Sequence, residues 1–259
     1  WAPMAGSRAR SSRPPTPTDT EFGLAITSSD AIAGRFAECR AGGRCALVAY
    51  LTGGHPDPGA SAEMITAVAT AGADVIEIGV PFSDPMADGP VIQASSQRAL
   101  AAGVTLDGTL EIAARAKPGV PLVLFTYLNP LLAAGPDALR RAADAGFSGV
   151  LVTDLPLGAD VDREAWLGNG PLAFIRLAAP TTATSRMQEI ARHGRGFVYL
   201  ISRTGVTGMR DALPPDLAET VARLRSVCGL PIAVGFGISQ PEQAAAVGRM
   251  ADGVVIGSA

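Results

Sequence analysis

Short apolar runs alternate with segments of helical periodicity along most of this 259-residue chain. Runs of β-branched and aliphatic residues predict strands, whereas apolar residues recurring every three or four positions predict helices. The strands are predicted over Ala46–Leu51, Val75–Ile78, Leu122–Tyr127, Gly149–Val152, Ala173–Leu177, Phe197–Ile201, Ile232–Val234 and Gly253–Ile256. The helices are predicted over Asp30–Ala41, Ala60–Ala71, Val91–Ala102, Leu110–Ala116, Asp137–Ala145, Val161–Gly168, Thr184–His193, Leu217–Val227 and Pro241–Met250.

This alternation restricts the fold to two architectures. Most of the predicted strands are apolar throughout, which is typical of parallel strands covered by helices on both faces. A closed (β/α)8 barrel and an open doubly wound sheet both satisfy that pattern. Eight strands favour the barrel, and no GxGxxG motif opens a first strand–helix unit of a dinucleotide-binding sheet. We therefore predict a single-domain α/β TIM barrel, with the extra N-terminal helix Asp30–Ala41 placed to close its bottom.

The two ends of the chain carry separate expectations. Residues 1–20 are rich in Arg, Ser, Pro and Thr, so we expect 1–28 to be a disordered tail, with a transit peptide as the less favoured alternative. We expect 29–259 to form the barrel. Because the sequence stops at Gly257-Ser258-Ala259, directly after the eighth predicted strand, it predicts a truncated C-terminus that lacks the final helical unit.

Composition narrows the classes of function. A net charge of −3 predicts no strong attraction to nucleic acid or to an anionic membrane. Lys117 is the only lysine and lies in a predicted surface turn, which disfavours a Schiff-base aldolase. His55 and His193 lack zinc-site spacing, so we expect no histidine-rich metal site, although an all-oxygen Mg²⁺ site stays open. The three cysteines form no CxxC pair, as expected of a reduced cytoplasmic protein.

One acidic residue lies within the second predicted strand and another lies on the loop after it, at the barrel end where catalytic groups gather. Glu77 interrupts an apolar strand, so it is either a structural carboxylate bonded to backbone or a general acid/base with a raised pKa. Asp88 lies on a Gly/Pro-rich loop and is either the N-cap of the next helix or a group that bends over the barrel mouth.

Glycine-rich segments follow the last three predicted strands. These segments are 203–208, 235–239 and Gly257-Ser258. Glycines let backbone N–H groups approach an anion, and barrels commonly hold phosphate at the loops after strands seven and eight. Neither of the last two segments carries Arg or Lys, so N–H groups, a helix dipole and the Ser258 hydroxyl would have to meet the charge.

Two further polar residues lie in or at the end of predicted strands. Tyr199, in the sixth, is either a core tyrosine or a residue that borders a substrate near Glu77. Asp154 ends the fourth, where it bonds either a substrate or a loop that carries Asp88 or Thr207.

The segment Glu77–Pro90, with the sequence EIGVPFSDPMADGP, resembles the signature of the tryptophan synthase α chain family. The resemblance extends over residues 30–259 in register. It continues through Ile92-Gln93, Ala101–Thr105, Tyr127–Pro130, Asp154–Pro156, Ser202–Gly208, Gly235–Ser239 and Gly257–Ala259. It implies a lyase of tryptophan biosynthesis that cleaves indole-3-glycerol phosphate to indole and glyceraldehyde 3-phosphate.

The resemblance also implies roles for single residues. Glu77, Asp88 and Tyr199 would be catalytic, and Thr207 would belong to a mobile loop that closes over the substrate. Phosphate would be bound by Gly208, Gly237, Gly257 and Ser258. The indole pocket would be lined by Tyr50, which replaces the more usual phenylalanine, and by Phe125, Leu151, Leu177, Phe236 and Val255.

The resemblance implies one protein partner and no cofactor. The partner is the tryptophan synthase β subunit in an α2β2 heterotetramer, and pyridoxal phosphate is expected only in that partner. Three alternatives stay open: another phosphate-binding barrel such as a sugar-phosphate epimerase or indole-glycerol-phosphate synthase, a non-catalytic phosphate-binding regulatory subunit, and a stand-alone lyase.

Overall fold

Eight parallel strands close a barrel in chain order in the computed structural model, which describes residues 30–202, 213–235 and 237–258. The predicted TIM barrel is confirmed. The strands are β1 Ala46–Thr52, β2 Val75–Gly79, β3 Leu122–Thr126, β4 Phe147–Val152, β5 Ala173–Ala178, β6 Val198–Ile201, β7 Ile232–Gly235 and β8 Gly253–Ile256.

Ten helices accompany these strands in the described part of the chain. They are α1 Asp30–Ala41, α2 Pro58–Thr70, α3 Pro90–Ala101, α4 Leu106–Ala116, α5 Leu128–Ala134, α6 Ala138–Asp144, α7 Val161–Gly168, α8 Thr184–Arg192, α9 Leu217–Arg225 and α10 Pro241–Gly248. Helix α4 begins four residues before its predicted start, because the Thr105 hydroxyl accepts a hydrogen bond from the backbone N–H of Gly108 and caps the helix there.

Helix α5 is the one element that sequence periodicity did not predict. Tyr127 was expected to end the third strand, but it is the N-cap residue of α5. Its own side chain does not cap the helix; instead a carboxylate oxygen of Asp154 accepts a hydrogen bond from the Leu128 N–H at 2.8 Å. Asp154, which we expected to bond a substrate or a loop carrying Asp88 or Thr207, therefore caps a helix that begins after the neighbouring strand.

The parallel register sends alternate residues of each strand into the barrel. In β1 every second residue is buried, and Tyr50 pairs in register with Glu77 of β2. These inward side chains form one apolar cluster inside the barrel. Its members in the strands include Val48, Tyr50, Val75, Val123, Phe125, Leu151, Ile175, Tyr199, Ala233 and Val255, and Phe197 joins it just before β6.

Helix α1 closes the bottom of the barrel, as predicted. Ile32, Phe36 and Cys39 are buried in the same interior cluster. The ring of Phe36 lies 5.3 Å from that of Phe197. A Cβ added at Gly253 would come within 2.8 Å of the Phe36 ring. The absence of a side chain at this position therefore makes room for helix α1, which is called the plug below.

The described residues contain neither a membrane-spanning helix nor a cluster of metal ligands. None of their helices combines the length and the apolar character that crossing a membrane requires. No group of three or more His, Cys, Asp or Glu side chains among them is arranged to hold a metal ion.

The plug gives a stability prediction. Phe36→Ala should lower the free energy of unfolding by about 3–5 kcal/mol, because it leaves a cavity among fully buried side chains. Urea denaturation followed by circular dichroism would measure the change. Glu38→Ala, on the exposed side of α1, is the matched control and should change stability by less than about 1 kcal/mol. Equal effects of the two substitutions would show that α1 does not close the barrel.

Candidate active site

Glu77 projects from the middle of β2 into the barrel and is 1% exposed. Its register partners are Tyr50 on β1 and Val123 on β3, so no cation flanks it across the sheet. Its Oε1 atom has no hydrogen-bond partner among the described residues. Burial in this setting raises the pKa of the Glu77 carboxyl to about 8. Glu77 is therefore predominantly protonated at neutral pH.

Asp88 is the second buried acid, and it lies on the loop between β2 and α3 with 4% of its surface exposed. Burial raises the pKa of its carboxyl to about 6, and a hydrogen bond from the Tyr127 hydroxyl works in the opposite direction. At neutral pH Asp88 is therefore predominantly ionised. The N-cap of α3 is Gly89, so the structural alternative for Asp88 as the helix cap is wrong.

Four contacts fix the loop that carries Asp88. The Tyr127 hydroxyl accepts a hydrogen bond from the Ala87 backbone N–H at 3.0 Å while it donates to the Asp88 carboxylate. The Gln93 side chain donates to the backbone carbonyl of Asp88 at 2.8 Å. The Tyr127 ring also packs 5.1 Å from that of Phe82. Tyr127 thus positions Asp88, a role that the sequence did not single out although the residue belongs to the motif Tyr127–Pro130.

The two acids share the barrel interior with two phenols. The pKa values of the Tyr50 and Tyr199 hydroxyls are both raised, first by burial and then by the negative charges of Asp88 and Glu77. Both phenols therefore stay neutral. Because both carboxyl groups act on each phenol, Glu77 and Asp88 lie near the same region of the barrel interior.

Two glycines leave the space that the hydroxyl ends of these tyrosines occupy. A Cβ added at Gly79 would lie 2.1 Å from the Tyr50 hydroxyl oxygen, and one added at Gly235 would lie 2.1 Å from that of Tyr199. Tyr50 pairs in register with Glu77 on the next strand, and Tyr199 pairs with Ala233. Each glycine lies two residues after the register partner of the tyrosine that it contacts. Only glycine lets the phenols lie across the strand ends in this way.

A cavity opens between these groups and the loops after β7 and β8. It is lined by Tyr50, Glu77, Ile92, Phe125, Tyr199, Gly237, Ile238, Val255, Gly257 and Ser258. One wall is acidic and phenolic, another is apolar, and a third consists of the backbone of Gly237, Gly257 and Ser258. This lining places apolar side chains beside Glu77 and, at the far end, main-chain N–H groups of the kind that bind anions.

The structure brings most of the predicted site residues together, but not all. Two predicted residues are buried but do not line the cavity: Asp88 on the loop between β2 and α3, and Leu151 in the interior cluster. Leu177 borders a different cavity beside β5. Thr207, Gly208 and Phe236 lie outside the described residues. Ile92 and Ile238 line the cavity but were not predicted, because both read in sequence as ordinary apolar residues of a helix and a loop.

A family model described as tryptophan synthase alpha chain matches residues 36–259. The chain belongs to this family. Two members illustrate the likeness: the tryptophan synthase alpha chain of Rhizorhabdus wittichii is 47% identical over 232 residues, which span 88% of this chain and 86% of the relative. That of Geobacter sulfurreducens is 48% identical over 233 residues, covering 88% of each chain.

Solved structures of the family share the fold. The chain superposes on Mycobacterium tuberculosis tryptophan synthase with a TM-score of 0.81 at 38% identity, covering 87% of this chain and 88% of that one. Tryptophan synthase subunit alpha of Legionella pneumophila gives 0.79 at 34% identity, covering 88% and 86%. Family membership makes the chain an α subunit with lyase activity in tryptophan biosynthesis and implies a β-subunit partner.

The buried acid gives a prediction for the pH dependence of stability. The pKa of Glu77 rises from its ordinary 4.5 to about 8 on folding, so the unfolded chain binds fewer protons between these values. Stability is therefore lost as pH rises through this window. Glu77→Gln cannot ionise and removes the loss. The stability of the variant relative to wild type should increase by on the order of 4 kcal/mol between pH 4.5 and 8.

Urea denaturation of both proteins at several pH values measures this difference. Glu63→Gln on the exposed face of α2 is the control, and its difference from wild type should stay constant with pH. A Glu77→Gln difference that is also constant would mean that the carboxyl group is solvated or paired in the folded protein.

Proposed function

We propose that the chain cleaves indole-3-glycerol phosphate into indole and glyceraldehyde 3-phosphate by a retro-aldol reaction, as the α subunit of tryptophan synthase. The observation that supports the proposal is that a protonated Glu77 lines the cavity, while an ionised Asp88 on the following loop lies near enough for both carboxyl groups to act on the Tyr50 and Tyr199 phenols. Pairs of acids whose environments separate their pKa values are typical of acid–base catalysis.

The first step needs a proton at the indole carbon that carries the glycerol chain. Protonated Glu77 donates it, which turns the ring into an indolenine-like cation with positive charge on its nitrogen. Ionised Asp88 stabilises that charge, because a carboxylate in a buried site interacts strongly with a cation that develops beside it. The required protonation states coexist between about pH 6 and about pH 8.

The second step breaks the carbon–carbon bond. Its electron pair returns to the ring and restores indole, and the hydroxyl carbon of the side chain becomes the aldehyde carbonyl. The hydroxyl proton passes to the Glu77 carboxylate left by the first step, so Glu77 ends protonated as it began. The net change is the transfer of one proton from the hydroxyl to the ring, without an external acid or base.

Substrate orientation depends on the remaining walls of the cavity. Tyr50, Phe125 and Val255 are suited to hold the indole ring, and the backbone after β7 and β8 is suited to hold the phosphate. The resemblance assigns Leu151, Leu177 and Phe236 to the ring, and Thr207 and Gly208 to the mobile loop and the phosphate. Holding both ends of the substrate lowers the entropic part of the barrier.

The sole lysine supports a mechanism without a Schiff base. Lys117 is exposed at the C-terminal cap of α4, remote in the fold from the cavity. We therefore place the whole of the chemistry on carboxyl groups, with no organic cofactor in this chain and with pyridoxal phosphate confined to the β subunit. The α2β2 assembly and a cytoplasmic location complete the proposal.

Two substitutions test the assignment. Glu77→Gln and Asp88→Asn should each reduce indole release from indole-3-glycerol phosphate by at least about 10²-fold, because each removes a proton-transfer or charge-stabilising group. Indole formation is measured with and without β subunit. The exposed Glu63→Gln and Asp162→Asn are the matched controls and should keep wild-type turnover. Near-wild-type turnover in either active-site variant, with the fold intact by circular dichroism, refutes the assignment.

A further inference from the structure

A second cavity, of about 680 Å³, lies outside the barrel between α7 and α8. Its floor includes Arg176 of β5, whose neighbours Ile175 and Leu177 pack with the barrel interior. Because successive side chains of a strand point to opposite faces, the sheet separates this cavity from the candidate active site. The two cavities share no lining residue.

The charges around this cavity are unbalanced. Four arginines border it, and the two glutamates there are each already paired: Glu164 with Arg176 at 2.7 Å and Glu189 with Arg192 at 2.8 Å. Arg186 and Arg195 have no carboxylate partner among the described ion pairs, and their hydrogen bonds go to backbone carbonyls such as Leu172 O. Two cationic side chains therefore remain for an anion.

Two buried N–H donors add to this excess. The Nη1 atom of Arg176 and the Nε atom of Arg195 are buried and have no hydrogen-bond partner in the described part of the chain. The Arg176 side chain is only 5% exposed, and its guanidinium stacks 4.0 Å from the centre of the Phe174 ring, so it is held in place. Buried donors are normally satisfied, and the ligand best matched to guanidinium groups is a carboxylate or phosphate.

The opposite wall of the cavity is apolar. Leu157, Val161 and Ala165 line it from the α7 side, and Val161 is 73% exposed, which is unusual for a large aliphatic side chain. A ligand that fits both walls needs an anionic head and an apolar body.

We propose that the cavity between α7 and α8 binds a small amphipathic anion, a carboxylate carried on an aromatic or branched aliphatic body. The carboxylate lies among Arg176, Arg186 and Arg195, and the apolar body packs on Val161 and Leu157. The site is distinct from the cavity at Glu77, so it takes its ligand whether or not the proposed cleavage reaction is correct.

Methyl NMR of the full chain tests the proposal at the site itself. Methyl-labelled protein is titrated with benzoate at constant ionic strength, and the Val161 and Leu157 methyls report on this cavity while Val255 reports on the other. The expected result is a saturable shift at Val161 and Leu157. Benzyl alcohol, which lacks the charge, and acetate, which lacks the ring, should each bind at least about fivefold more weakly.

Two variants assign the binding to the arginines. Arg186→Gln and Arg195→Gln should each weaken benzoate binding at Val161 by about fivefold or more, whereas Arg98→Gln on the exposed face of α3 should not change it. Arg186 is exposed, so its substitution keeps the test valid even if Arg195→Gln unfolds. The proposal is overturned by the absence of a saturable shift at Val161, by equal binding of benzyl alcohol, or by a smaller effect of Arg186→Gln.

Discussion

The burial of one carboxyl group without a hydrogen-bond partner for its Oε1 atom is the constraint on which the rest of the site depends. Glu77 stands on the inner face of a strand whose other residues are apolar, and ionising it there would cost free energy that no cation among the described residues offsets. The fold therefore holds Glu77 protonated at neutral pH. Asp88 faces the same interior from a loop, where the Tyr127 hydroxyl favours its ionised form. One barrel thus holds two acids in different protonation states.

The scaffold supports this difference through small residues at a few positions. Gly79 and Gly235 let the phenols of Tyr50 and Tyr199 lie across the ends of their neighbouring strands, beside the acids. At the other end of the barrel, Gly253 makes room for Phe36, and α1 seals the interior from below. A sealed and apolar floor keeps water away from Glu77, so the plug and the raised pKa of the carboxyl belong to one arrangement. Stability and function are opposed at Glu77, since the group that is proposed to move protons also destabilises the folded chain above about pH 4.5.

The sequence predicted the barrel because the evidence for it is local and repeated. Each strand is a short apolar run, and each helix has its own periodicity, so small errors at element ends do not change the topology. Glu77 was identifiable for a similar reason, as a single charge within an apolar strand. The resemblance supplied most of the other residues of the cavity wall. Physical reading of the sequence alone could not have ranked Tyr50 or Val255 above other apolar positions.

The features that sequence analysis did not predict depend on contacts between segments that are distant along the chain. Helix α5 is capped by Asp154, which lies 26 residues away along the chain, and no pattern near Leu128 reveals that partner. The role of Tyr127 depends on a loop 40 residues earlier. Leu177, which the resemblance placed in the indole pocket, packs against the interior cluster in register with Tyr199 and also borders another cavity. The arginines between α7 and α8 are spread over β5, α8 and the loop that follows, so they form a group only in the folded chain.

The protonation state of the two acids is the centre of this account, and it can be observed directly. Carbon-13 NMR of the side-chain carboxyl groups, assigned by comparison with Glu77→Gln and Asp88→Asn, follows each titration in the folded protein. The account predicts a midpoint near pH 8 for Glu77 and near pH 6 for Asp88. A Glu77 midpoint near its ordinary value of about 4.5 would contradict it, because both acids would then be ionised at neutral pH and neither could donate the first proton.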